Sequence, residues 1–174
     1  MSAASIWNAL HWTRFSQPRH DRALFQRVQK VKPVRIVELG IGDTTRATRV
    51  IRLAQRFTSE TIQYCGIDQF EARATDGLPL KGAHQILSKT GAKVRLVPGD
   101  IMSALGRTAN ILTNTDLLIF DASNEQADIE KAFHFLPRML HEKTAIARYD
   151  VAEKSVRLRW LKPSGFMQPA RRAA

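Results

Sequence analysis

The chain has one cysteine, Cys65, in 174 residues. One thiol cannot build a disulfide framework within the chain or a cysteine-rich zinc centre. Its place inside the apolar run TIQYCGID (61–68) points to a buried, reduced thiol. Long apolar runs are also missing. No stretch approaches the roughly 18 apolar residues of a membrane span, so no membrane partner is expected. The opening residues MSAASIWNALHWTRF lack the charged and apolar blocks of a secretory signal, and a cytoplasmic location is expected. No internal repeat or long low-complexity segment occurs.

Acids are scarce, with 16 against 27 lysines and arginines, and the shortage is local. Residues 1–35 carry seven basic residues against Asp21, and residues 151–174 carry six against Glu153. Residues 36–150 balance 14 basic residues with 14 acids, so the two ends hold the whole excess of +11. Basic ends on a neutral centre suit an anionic partner if the ends meet in space. Solubility charge on flexible ends explains them as well.

The centre alternates apolar β-rich runs with helical patterns. VRIVEL (34–39), TIQYCGID (61–68), KVRLVPGD (93–100), DLLIFD (116–121) and KTAIARYD (143–150) read as strands. Between them, helices are predicted over 44–57, 79–91, 100–112 and 124–140, with Pro137 kinking the last turn. In the first of these, Ala47, Val50, Ile51, Ala54 and Phe57 fall on one face and the arginines on the other. Largely apolar strands alternating with helices predict a three-layer α/β/α Rossmann-like sandwich around a mostly parallel sheet. SVRLRWL (155–161) reads as a sixth strand, with Val156, Leu158 and Trp160 inward and Arg157 and Arg159 outward, leaving a truncated C-terminal strand region. Helices are also expected over 18–32 and 5–15. The organisation expected is a basic helical segment over 1–33, an α/β domain over 34–161, and a basic, flexible tail over 162–174.

Acids mark the strand ends. Glu38, Asp68, Asp121 and Asp150 close four strands, and Asp100 follows the fifth. Ligands of open α/β sheets bind beyond the carboxyl ends of the strands, and an acid cluster there is hard to derive from packing, because a buried carboxylate without a partner is costly. Gly40 and Gly42 permit a sharp turn and close backbone approach before a helix N-terminus. A plain strand-to-helix turn would use the same glycines. A nicotinamide dinucleotide site shares this geometry, but its fingerprint needs a third glycine where Thr45 stands.

In their order and spacing, VELGIGD, YCGIDQF, VRLVPGDIM and DLLIFDAS resemble the signature strands of class I S-adenosylmethionine (SAM)-dependent methyltransferases over residues 34–150. The resemblance implies a SAM cofactor. Glu38 would lie near its amino group, with Gly40 and Gly42 beneath its amino-acid portion. Asp68 would hold the ribose beside Gln69, and Asp100 and Ile101 would flank the adenine. Asp121 would sit at the methionine end near the acceptor and is the one catalytic candidate. Thr44 replaces the usual third glycine and could serve the helix N-terminus instead.

The resemblance also frames the acceptor. Asp121-Ala122-Ser123-Asn124 lacks the Pro-Pro-aromatic motif of base-amino methyltransferases, and Cys65 is misplaced for attack on a cytosine carbon. O-methylation of a small-molecule acceptor is the reading favoured. In the metal-dependent branch, acids after the fourth and fifth strands bind a divalent cation. Asp121 and Asp150 are weak candidates for such a pair, because Val151 stands where that branch has asparagine, and no metal is expected. His84, His134 and His141 are bases by residue type alone. His11, His20, Trp7, Trp12 and Phe15 would matter only if the N-terminal segment folds over the site. The alternative function is a non-catalytic protein of the same fold that binds nucleic acid or another polyanion through its basic ends, with Trp12, Phe15, Trp160 and Phe166 interleaved. Nothing in the sequence fixes the oligomeric state.

Overall fold

The structure, a computed structural model, describes residues 19–72, 77–152 and 155–167. The expected helix over 5–15, the lid residues Trp7, Trp12 and Phe15, His11 and the tail beyond Met167 lie outside the described residues.

Six strands form one sheet: β1 (Arg35–Leu39), β2 (Gln63–Asp68), β3 (Lys93–Pro98), β4 (Thr115–Phe120), β5 (Leu140–Ala152) and β6 (Ser155–Leu161). Their order is β3-β2-β1-β4-β5-β6. The first five run parallel, and β6 returns antiparallel along β5 as a hairpin. The chain starts in the middle, builds outward to β3, then crosses back to β4. The switch point therefore lies between the carboxyl ends of β1 and β4.

Strand alternation sorts the side chains into two layers. On one face, Ile36, Tyr64, Leu117, Ile119, Ala145, Ala147 and Tyr149 pack under α1 (Asp21–Val31), α2 (Thr45–Ala54) and α3 (Leu80–Ser88). On the other, Val37, Leu39, Cys65, Ile67, Leu118, Phe120 and Ile146 pack under α4 (Ile101–Thr108), α5 (Gln126–Ala132) and α6 (Leu136–Met139). A short α7 (Ser164–Met167) closes the described chain, and Phe166 lies against Phe133 with ring centroids 4.7 Å apart.

Three local expectations need correction. The helix expected over 124–140 is two helices, α5 and α6, broken by a turn at 133–135. Pro137 lies in the first turn of α6, where its missing N–H is harmless, and it does not kink a continuous helix. His141 is the second residue of strand β5. Trp160 shares the face of Val156 and Leu158, but it is 37% exposed at the edge strand, with the Arg27 guanidinium 5.5 Å from its ring centroid.

Helix α1 is tied to the sheet by a polar bond as well as by Leu24, Phe25 and Val28. The buried hydroxyl of Tyr149 on β5 donates to Asp21 Oδ1 at 2.7 Å. Asp21 is buried and sits in the first turn of α1, where the helix dipole also favours its charge. Tyr149→Phe should lower stability by about 1–3 kcal/mol, because the carboxylate stays buried without its donor. Urea denaturation should show a lower midpoint with an unchanged slope.

Cys65 is 4% exposed. Burial pushes its thiol up to about 11, against the opposing pull of Arg95. An unfolded cysteine ionises at about 8.5. Between these values the unfolded chain releases a proton that the folded chain retains, so stability falls as pH rises through that window. Raising the pH from 8 to 11 should cost the wild type about 3 kcal/mol more unfolding free energy than it costs Cys65→Ala, as read by urea denaturation at each pH.

Candidate functional site

A cleft of about 320 Å³ opens at the carboxyl edge of the sheet, across the switch point. Gly40, Ile67, Asp68, Gln69, Gly99, Asp100 and Ile101 line one side, and Ser123, Asn124, Glu125 and Asp128 the other. Four carboxylates and no lysine or arginine form the lining. That donor set suits a cationic ligand bearing hydroxyl and amino groups. A larger depression of about 380 Å³ opens at the opposite, amino edge of the strands, where Arg35, Lys93 and Arg95 give it the other sign of charge.

The walls are built by backbone geometry at the strand ends. Gly40 has φ +85°, and a Cβ there would meet the Asp121 Cβ at 2.7 Å, so only glycine lets the β1 and β4 turns approach this closely. Asn124 clamps the same junction, donating through Nδ2 to the Leu39 carbonyl at 2.6 Å and to the Asp121 carbonyl at 3.0 Å. Thr44 adopts φ +66° in place of the usual glycine, and its hydroxyl does not cap α2. Asp43 does that work instead, accepting from the Thr45 N–H at 2.9 Å and the Thr45 hydroxyl at 2.8 Å. Below β3, Asp100 caps α4 by accepting from the Ser103 N–H at 2.9 Å, and its other oxygen takes the Ser103 hydroxyl at 2.7 Å. The Ser103 bonds hold the Asp100 carboxyl below the usual range. Arg107 fastens this turn by donating to the Pro98 carbonyl at 2.7 Å.

Asp68, Gln69, Asp100, Ile101 and Gly40 line the cleft, whereas Glu38, Gly42 and Asp121 are not in its lining. Gly42 has φ +55° and faces open space. Asp68 spends its lone pairs on the turn. Its Oδ2 accepts from the Ile41 and Gly42 N–H groups at 2.7 and 3.2 Å, and its Oδ1 from those of Gln69 and Phe70 at 2.7 and 3.4 Å.

Glu38 is fully buried on the α2 side of the sheet, one residue before the strand end. Its Oε2 accepts from the Tyr64 hydroxyl at 2.6 Å, and its Oε1 from Arg46 Nε at 2.6 Å. Arg46, expected on the outer face of its helix with the other arginines, turns inward. Its Nη1 pairs with Asp121 Oδ2 at 2.7 Å, and its Nη2 donates to the Gly40 carbonyl at 3.0 Å. The guanidinium lies 4.8 Å from the Tyr149 ring centroid. Burial raises the Glu38 carboxyl above its usual range, against the opposing pull of Arg46 and Tyr64. Burial also pushes the Asp121 carboxyl up, but Arg46 and the Ser123 bonds outweigh it and hold it below that range.

Asp150 is engaged as well, by Arg148 Nε at 2.6 Å and Arg159 Nη2 at 3.1 Å. The two weak metal candidates, Asp121 and Asp150, thus each face an arginine. Among the described residues, no group of three or more histidine, cysteine or acidic side chains converges. The histidines lie elsewhere: His84 on α3 beside Ser88, His134 in the turn after α5, His141 3.2 Å from Asp116, and His20 against the Tyr149 ring. None of them lines the cleft. Arg46, Asn124 and Asp43 were missed from the sequence. The signal for Arg46 was available, because it stands four residues before Val50 and so borders the inward stripe of α2.

The strand order, the helices on both faces and the cleft at the switch point are the architecture of class I, Rossmann-like methyltransferases. No protein-family model and no curated protein matches the sequence. Among solved structures, the chain is similar to an O-methyltransferase from Bacillus cereus in complex with S-adenosylhomocysteine (SAH), at 16% identity over 86% of this chain and 67% of that one, with a TM-score of 0.57. It is similar to TomG from Streptomyces achromogenes, an O-methyltransferase involved in tomaymycin synthesis and solved with SAM, at 16% identity over 86% of this chain and 66% of that one, TM-score 0.55. The SAH-bound methyltransferase PaMTH1 of Podospora anserina matches at 16% identity over 85% of this chain and 62% of that one, TM-score 0.53. The chain spans about two-thirds of the length of these structures, and the likeness is one of fold. No helix among the described residues is long and apolar enough to cross a membrane.

Asp68→Asn should be destabilising by about 1–3 kcal/mol, because an amide cannot accept from all four backbone donors. Urea denaturation measures the cost. Unchanged stability would mean that the carboxylate does not hold the turn.

Proposed function

We propose that the protein is a SAM-dependent methyltransferase acting on the oxygen of a small-molecule acceptor. The observation that carries the reading is the cleft at the switch point, with four carboxylates and no cation in its lining. The folds of the SAM- and SAH-bound O-methyltransferases support it.

In this reading Asp100 and Ile101 flank the adenine, with Asp100 free to accept from its amine beyond the Ser103 bonds. Gln69 stands beside the ribose. Asp68 acts chiefly through the turn, holding the Ile41 and Gly42 amides in place under the cofactor. Gly40 leaves room for the amino-acid portion, and Glu125 and Asp128 give the opposite wall its negative charge. Glu38 acts one step removed, through Arg46. Asp121 stays ionised beside Arg46, which makes it a poor base and a fixed charge near the acceptor side. When bound, SAM would supply an electrophilic sulfonium methyl group for transfer to the acceptor oxygen, with SAH as the product and the hydroxyl proton passing to solvent. The chain's own contribution is positioning and charge.

Calorimetric titration with SAM and SAH tests this reading. Micromolar binding is expected, and Asp128→Lys should weaken SAM by about tenfold, because it reverses a charge on an exposed wall without removing a buried contact. Absence of binding at millimolar ligand would overturn the assignment.

A further inference from the structure

The depression at the amino edge of the sheet lies at the far end of the strands from the cleft, and strand register sets out its charges. Arg35, Gln63 and Lys93 are the first residues of β1, β2 and β3, and they pair side by side in one row. Val37, Cys65 and Arg95 form the next row on the same face. By strand geometry, Lys93 and Arg95 stand about 7 Å apart along β3, and Arg35 stands about 10 Å from Lys93 across two strand spacings. Helix α4 ends at Thr108, and the chain after it brings Ile111 and Leu112 to the wall. The lining therefore holds three cations and no acid.

These charges are open. Lys93 and Arg95 are exposed, and among the described residues neither has a carboxylate within ion-pair distance. Arg35 is held in place by donating to the Thr113 carbonyl at 3.0 Å. Asp116 is outside the lining, and its oxygens are engaged by the Val34 and Arg35 main-chain N–H groups and by His141. Val37, Cys65, Ile111 and Leu112 add apolar surface beside the cations. We propose that this depression, about 380 Å³ in volume, binds a phosphate monoester carried on an apolar or aromatic body. A phosphate dianion has oxygens enough to meet Lys93 and Arg95 together and still accept from Arg35 or Gln63, whereas a carboxylate carries only one charge. Single-stranded nucleic acid fits less well, because the one aromatic in the lining, Tyr64, is buried with its hydroxyl on Glu38, and no ring is open for base stacking.

Calorimetric titration of the full chain with phenyl phosphate, benzoate, inorganic phosphate and a single-stranded oligonucleotide tests the site. Phenyl phosphate should bind in the millimolar range or tighter, ahead of benzoate and inorganic phosphate, and more weakly as salt rises. The double variant Lys93→Gln/Arg95→Gln changes two exposed side chains, so it should fold, and it should lose about tenfold in affinity for phenyl phosphate. Arg157→Gln, exposed on β6 at the opposite edge of the sheet, should change nothing. Ile111→Ser, at a position 57% exposed, should weaken phenyl phosphate and leave inorganic phosphate as it was. No binding of phenyl phosphate at tens of millimolar overturns the proposal, as does an equal loss in the edge variant Arg157→Gln, which would mean attraction to net charge alone. Equal affinity for benzoate overturns the choice of phosphate. Tight binding of the oligonucleotide without phenyl phosphate would make the patch a polyanion surface instead. None of these readouts involves SAM, so their failure leaves the proposed function standing.

Discussion

The bond between Glu38 and Arg46 is the constraint on which this end of the molecule depends. A carboxylate placed in the middle strand of a six-stranded sheet, with no exposure to water, is tenable only with strong donors on both oxygens. Tyr64 supplies one from the neighbouring strand, and Arg46 the other from the first turn of α2. The bond thereby fixes how α2 sits over β1. Replacing such a pair by apolar groups can leave stability unchanged, but removing one partner costs roughly 3–5 kcal/mol. It defines the arrangement more than it adds to stability.

From that bond the constraint spreads in two directions. Through Nη1 and Nη2 the guanidinium holds Asp121 and the Gly40 carbonyl, the ends of the two strands that flank the switch point. Asn124 ties the same ends together from the other side. Through the face of Tyr149, whose hydroxyl bonds Asp21, the network reaches α1. The N-terminal helix, the central strand and the cleft wall thus share one run of polar contacts, with apolar packing on both sides of it.

The fold was legible because the sheet is parallel and buried on both faces. Runs such as VRIVEL and DLLIFD can only be interior strands, and the order of apolar run, turn and amphipathic helix leaves one architecture. The location of the cleft was legible for the same reason, and five of the eight expected cofactor residues line it. What was misread is the state of the acids. Sequence position marks a carboxylate at a strand end but not its partner. Glu38 and Ile36 share a face by simple alternation, which directs Glu38 under α2 and away from the cleft, and Arg46 borders the inward stripe of that helix. Asp68 was read as a ligand group, yet four backbone amides converge on it, a use that depends on turn geometry and leaves no trace in residue type. The break between α5 and α6 was equally hidden, because the apolar spacing from Ile129 to Leu140 continues across it.

The described parts of the two basic ends meet. Helix α1 packs against β5 and β6, bringing Arg27 over Trp160. Their meeting weakens the polyanion reading more than it helps it. A nucleic-acid surface needs aromatic faces open for base stacking beside its cations. Of the four aromatics that suggested one, Trp160 lies under Arg27 and Phe166 packs on Phe133, while Trp12 and Phe15 fall outside the described residues. Arg148 and Arg159 are engaged by Asp150, and Arg148 reaches Gln126 on the helix whose Glu125 and Asp128 line the cleft. Arg148 and Arg159 are therefore spent on holding one acid of the same chain. The cleft lining holds four carboxylates and no lysine or arginine, a donor set that suits a cationic small molecule better than a polyanion.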